Sequence, residues 1–121
     1  MADLKSRYLF IASMDIDAEH EALFNDVYNT EHCPLLDQTP GVLGVTRYET
    51  QRLVMAMGGQ VQEIEIPGMQ KHHAVYQIES PDVLTSSEWA DAVDAGRWPE
   101  HVRPYTTNRR HVLMKLTYPE N

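Results

Sequence analysis

Within Thr30-Glu31-His32-Cys33-Pro34 a carboxylate, an imidazole and a thiol occupy successive positions just ahead of a proline. His32 is the leading candidate for chemistry, because an imidazole with an ordinary pKa near neutrality can take up and release a proton at physiological pH. The other reading is a histidine cation closing the C-terminus of a helix, where the dipole favours positive charge. Glu31 is a poor partner for His32, since neighbouring helical side chains point about 100 degrees apart. Cys33 would be a nucleophile only if His32 lowered its pKa, and adjacent residues seldom have thiolate–imidazole geometry. An isolated cysteine is more commonly buried and inert.

Two phenols are candidates to orient a carbonyl or enolate. Tyr48 ends a strand after Gly44 and Thr46 and is the better second catalytic candidate beside His32, whereas Tyr28 falls on the packing face of a helix and is a candidate for substrate contact. His72 and His73 are successive strand residues that face opposite ways, so they do not jointly hold a metal; His73 is taken as the one entering a cleft. Tyr76, Trp89 and Trp98 complete the expected substrate-binding wall, with His101 and Tyr105 near its mouth. No glycine-rich phosphate loop follows a strand, no serine-centred nucleophile elbow is present and no His-Glu-x-x-His helix occurs, so nucleotide, serine-hydrolase and zinc-protease readings have no support.

The elements that must position these residues follow from periodicity. Tyr8 to Met14 reads as a buried strand, and Asp17 is placed to cap a helix carrying Glu19 and Glu21 in its first turn. Phe24, Val27 and Tyr28 form that helix's apolar side, His32 follows one turn beyond Tyr28, and Pro34 is read as the stop. After the Pro40-Gly41 turn, Val42 to Tyr48 is a second strand with Val42, Gly44, Thr46 and Tyr48 on one face and Leu43, Val45 and Arg47 on the other. Leu53 to Met57 and Val61 to Ile66 flank Gly58-Gly59 as a hairpin would, an insertion or mobile flap around 51–70. His72 to Ile78 is a third strand. Ser80-Pro81 opens a second helical region, recapped at Ser87 and ended by Gly96, and Arg110 to Tyr118 is a final strand.

The 121 residues suit one domain, 1–121, and 42% hydrophobic with 23% charged residues describes an ordinary globular chain. A formal charge of −8 repels nucleic-acid backbones and anionic membranes, and Arg109-Arg110-His111 reads as a solvated strand edge. A single cysteine and the lack of an apolar leader or span favour a cytoplasmic setting.

Strand, helix, strand, strand, helix, strand folds most simply as an α+β, four-stranded antiparallel sheet with both helices on one face. The other face is then partly apolar and needs a cover, such as a second copy in a homodimer. On this order, on Phe24 to Pro34 with its His-x-Pro ending, and on Pro40-Gly41-Val42 with Arg47-Tyr48, the chain resembles the dimeric α/β-barrel superfamily of ferredoxin-like (βαββαβ) domains, nearest its EthD-like and muconolactone-isomerase-like branches. The resemblance implies a homodimer, a cleft containing His32 and a small apolar or aromatic ligand. It also implies cofactor-independent small-molecule chemistry: His32-mediated proton transfer in an isomerase, lyase or cyclase acting on an aromatic or polyketide-like carbonyl compound. The alternatives are a cofactor-free monooxygenase and a non-catalytic ligand-binding or accessory dimer. Some relatives use haem, and none of the six histidines is singled out as its ligand.

Overall fold

The computed structural model describes residues 7–119. Strands β1 (Tyr8–Ile16), β2 (Val42–Glu49), β5 (His72–Ile78) and β6 (Thr106–Lys115) form one antiparallel sheet in the order β2-β5-β1-β6. Strands β3 (Leu53–Met57) and β4 (Gln60–Ile64) pair only with each other, as a hairpin outside that sheet. Helices α1 (Glu21–Val27), α2 (Cys33–Asp37) and α3 (Ser87–Val93) cover one sheet face. No helix of the described residues is long and apolar enough to cross a membrane.

Alternation explains the layers. His72, Ala74, Tyr76 and Ile78 of β5 are buried while His73, Val75 and Gln77 are half-buried, so the first set meets the helices. Phe24, Val27, Leu36, Val102 and Trp98 meet that set from the helical layer, and Ala12 and Met14 join it from β1. Deleting any of the larger of these side chains removes apolar area and leaves a void, which costs about 2–5 kcal/mol.

Pro34 does not stop the first helix. The chain passes from α1 through a π-turn at Tyr28–His32 directly into α2, with Pro34 in the first turn of α2. A proline has no N–H to give the carbonyl four residues back, and its ring would clash there. Widening the turn relieves that conflict: the Cys33 N–H bonds to the Tyr28 carbonyl, five residues back. A second π-turn, Trp98–Val102, precedes Pro104 in the same manner, with the Arg103 N–H on the Trp98 carbonyl.

Other boundaries move for local reasons. Asp17 accepts from the His20 N–H at 3.0 Å and fixes the turn before α1 rather than capping α1 itself. Ser86, not Ser87, caps α3 by accepting from the Trp89 N–H at 3.1 Å. The final strand begins at Thr106 and ends at Lys115, before Tyr118. In β2 a register shift between Val42 and Gly44 puts Val42 on the helix side with Val45 and Arg47, and leaves Gly44, Thr46 and Tyr48 on the outer face.

Candidate functional site

The continuous helix, rewound at its π-turn, carries His32 into the interior. The residue is 5% exposed and stacks on Trp98 with ring centroids 4.4 Å apart and planes at 20°. Tyr28 presents its ring nearly perpendicular, at 5.2 Å. His32 Nδ1 is buried and has no hydrogen-bond partner. A buried polar atom is nearly always paired, so an orphan of this kind marks a place where another group belongs.

His32 also borders a cavity of about 180 Å³ between sheet and helices, together with Phe10, Met14, Tyr28, Leu36, Tyr76, Trp89, Trp98, Arg109 and His111 among others. Its walls are mainly aromatic: Phe10 stacks with Tyr76 and His111, and Trp89 meets both Phe10 and Tyr76 edge-on. Burial, helped by the Arg103 cation, pushes the His32 pKa down to about 4. The ring is therefore neutral at pH 7, and one nitrogen is free to accept a hydrogen bond or a proton. The cation-at-helix-end reading of His32 fails on both counts, since the helix continues past it and the ring is uncharged.

Burial also pushes the Tyr28 phenol up to about 12, chiefly against smaller opposing effects of a hydrogen bond with Tyr76, of Arg47 and of Arg109. Tyr76 is likewise raised, by burial first and then by Tyr28 and Cys33. The two phenols thus stay protonated and bonded to one another. Arg47 supports the wall from beneath, with its guanidinium 4.6 Å from the Tyr28 ring centroid and hydrogen bonds to the amide oxygens of Asn25 and Asn29. Its burial against rings and amides is what turns the Val45 and Arg47 face of β2 inward.

Five of the expected site residues, His32, Tyr28, Tyr76, Trp89 and Trp98, come together around this cavity. Tyr48 and His73 do not. They are register partners on the opposite face of the sheet, and Tyr48 is 59% exposed. The pairing of Tyr48 with His32 is therefore corrected: strand alternation put Tyr48 and Arg47 on different faces, but the inward face is the one carrying the arginine. His73 is fully engaged elsewhere. Its Nδ1 lies 2.7 Å from Ser13 Oγ, and its Nε2 lies 2.6 Å from Thr50 Oγ1 and 3.1 Å from the Gln70 carbonyl. Nor does Glu31 serve His32; it accepts from the backbone and side chain of Arg97. Cys33 has its pKa pushed up to about 11, mainly by burial, which makes it a poor nucleophile. His101 and Tyr105 do not border the cavity, and Tyr105 stacks on His20 instead.

Arg109 and His111 are the residues that reading the chain as an edge strand missed. Opposite β1, β6 carries an extra residue: Ser13 faces Arg110 and Asp15 faces Thr107. Asn108 takes the strained step, at φ 51, and is held by donating to Asp15 Oδ2 at 3.0 Å and to the Gly68 carbonyl at 2.8 Å. Past that bulge, strand alternation sets Arg109 on the cavity side with His111 and Arg110 on the outer face. The signal was present in the alternation of Arg109 and His111 against Arg110 and Val112.

No family profile matches the chain, and no curated protein matches its sequence. Solved structures do share its fold. A point variant of MhuD with two manganese protoporphyrin IX molecules bound per active site aligns at a TM-score of 0.57 and 11% identity, covering 94% of this chain and 98% of that one. The fold is ferredoxin-like. The heme-degrader MhuD from Mycobacterium tuberculosis, with two hemes in its active site, aligns at 0.55 and 13% identity over 94% of this chain and 99% of that one.

A tetrapyrrole fits the present residues poorly. His32 offers a suitable nitrogen, but pockets for drug-sized ligands run to about 300–1,000 Å³, and 180 Å³ is below that range. Among the described residues no three histidine, cysteine, aspartate or glutamate side chains gather as metal ligands.

Proposed function

We propose that this chain binds a single-ring aromatic, or a carbonyl compound of similar size, in the helix-side cavity, and that His32 is the polar group that meets it. Buried His32 on the wall of an aromatic cavity, with its Nδ1 unpartnered, is the observation that carries this reading. The size agrees: a dry protein cavity of about 150 Å³ accepts benzene. A ligand hydroxyl would donate to the neutral imidazole, and Arg109 would face negative charge developing on the ligand. The aromatic walls would hold the ring by edge and face contacts.

The chemistry this arrangement favours is proton removal from an acidified position. A base whose conjugate acid has a pKa of about 4 is weak, so it serves a phenolic or enolisable substrate whose anion Arg109 stabilises. The likeness in fold to a heme-degrader supports an oxygenating outcome over isomerase, lyase or cyclase chemistry. In a cofactor-free oxygenation the substrate is the sole reductant: a CH₂ group loses a proton to His32, the carbanion reduces dioxygen, and the resulting hydroperoxide loses water to leave C=O. The branch relationship to EthD-like proteins belongs to the same proposal, as does a homodimer of single-domain chains.

The test is a thermal-shift screen of single-ring phenols and cyclic ketones, followed by oxygen-uptake assays with the compounds that bind. Compounds of one ring should raise Tm in the wild type and much less in His32→Gln. Oxygen consumption in step with substrate loss supports the oxygenase; turnover without it restores the isomerase or cyclase reading. A screen in which only porphyrins raise Tm would sink the proposal.

A further inference from the structure

The β3–β4 hairpin has a composition that its surroundings do not explain. From Leu53 to Gln62 the chain contains no charged residue. Val54, Leu53, Met55 and Met57 are 42–46% exposed and Val61 is 75% exposed. Side chains on both faces of this ribbon are apolar, and an isolated two-stranded ribbon is marginally stable in water. An exposed β-ribbon whose one charge, Glu63, is paired with Arg52 at its base is also the kind of edge that other strands pair with unless something covers it.

A groove of about 770 Å³ runs along the hairpin's base between Leu53, Ile64, Ile66 and Met69, and shares no lining residue with the His32 cavity. Met69 instead joins it to a hollow of about 260 Å³ on the outer sheet face, lined by Ile11, Val112, Met114 and Arg110. Hairpin, groove and outer face thus adjoin through Met69, and the groove also carries the Arg52–Glu63 ion pair on its wall. Glu65 lines the groove and Arg110 the hollow, and neither has an ion-pair partner among the described residues.

We infer that the β3–β4 hairpin is an arm that clasps a second copy of this chain, laid over that copy's outer sheet face so that Glu65 of each copy meets Arg110 of the other. The inference rests on the homodimer reading and adds to it the arm and the ion pair. Two-fold symmetry makes the contact reciprocal, so one apolar surface covers both arms and both sheets. It also gives each unpaired charge a partner of opposite sign, which matters for a chain whose formal charge of −8 otherwise opposes self-association.

Sedimentation equilibrium on the full chain tests this, with Tm and far-UV circular dichroism as folding controls. Wild type should be a dimer at micromolar concentration. Val61→Glu, at a position already in water, and Glu65→Arg or Arg110→Glu should each leave Tm of the isolated fold near its value while weakening the dimer about tenfold or more. The double variant Glu65→Arg/Arg110→Glu should recover most of that loss. A monomeric wild type would overturn both dimer and arm. A dimer unchanged by Val61→Glu, or by replacing Leu53–Ile64 with a short turn, would overturn the arm while leaving the sheet-face dimer standing. Failure of the double variant to recover would overturn the Glu65–Arg110 contact.

Discussion

Two histidines on opposite sides of the sheet show how differently the same side chain is used. On the outer face, His73 has both ring nitrogens within hydrogen-bonding distance of Ser13, Thr50 and the Gln70 carbonyl. On the helix side, His32 is stacked among aromatic rings with Nδ1 unsatisfied. The first arrangement completes a histidine's bonding, and such a residue holds its neighbours in place. The second withholds a partner from a buried nitrogen, which is costly unless a ligand or water supplies one. The contrast teaches that the candidate site is recognised by what its polar group lacks, not by how many polar groups surround it.

The contrast is broken most severely through the walls. Trp98→Ala removes the ring stacked on His32 and should destabilise the fold by about 3–5 kcal/mol. Tyr48→Phe, on the open face, should stay within about 0.5 kcal/mol. Denaturant unfolding of both variants at one protein concentration checks the pair, and equal costs would abolish the distinction between the faces.

Acidification separates the two sides next. The folded-state pKa of His32 lies below its ordinary 6.5, at about 4, so the unfolded chain binds a proton that the folded chain refuses. The contribution is fully present above pH 6.5, is lost as pH falls from there through about 4, and does not change further below. At about 1.4 kcal/mol per pH unit this amounts to on the order of 3 kcal/mol. His32→Gln should remove that part of the acid dependence in stability measured from pH 7 to pH 3.5. An unchanged curve would mean that His32 is not held neutral by burial.

Helix and side-chain reactivity give smaller effects. Ser86→Ala should cost about 1 kcal/mol through loss of the bond to the Trp89 N–H. Because burial raises the Cys33 pKa to about 11, a thiol reagent at pH 8 should modify the native chain far more slowly than the unfolded one. Equal rates would show the thiol to be open to solvent.

Much of this architecture was legible in the residues themselves. Alternation in His72 to Ile78, the apolar run from Tyr8, the Pro40-Gly41 turn and the paired Gly58-Gly59 each specify a local structure that the tertiary fold does not oppose. Three points were less plain from the residues alone. Pro34 reads as a stop until the π-turn before it is seen to absorb the clash. Tyr48 reads as a site residue because it ends the strand after Gly44 and Thr46, yet it is Arg47 that faces inward, where it finds Asn25, Asn29 and two aromatic rings. Arg109 reads as part of a solvated edge because it stands in a basic run, yet its alternation with Arg110 sets it beside His111 at the cavity. His32 itself was visible, but its aromatic surroundings, Phe10, Tyr28, Tyr76, Trp89 and Trp98, were assembled from five separate elements.

The most direct test of a neutral, partner-seeking His32 is an imidazole nitrogen NMR titration, run with and without a single-ring phenol. The expected result is an apparent pKa near 4 in the free protein and a change in the His32 ring-nitrogen shifts at pH 7 when phenol binds. A pKa at or above 6.5, with ring-nitrogen shifts indifferent to the phenol, would contradict it.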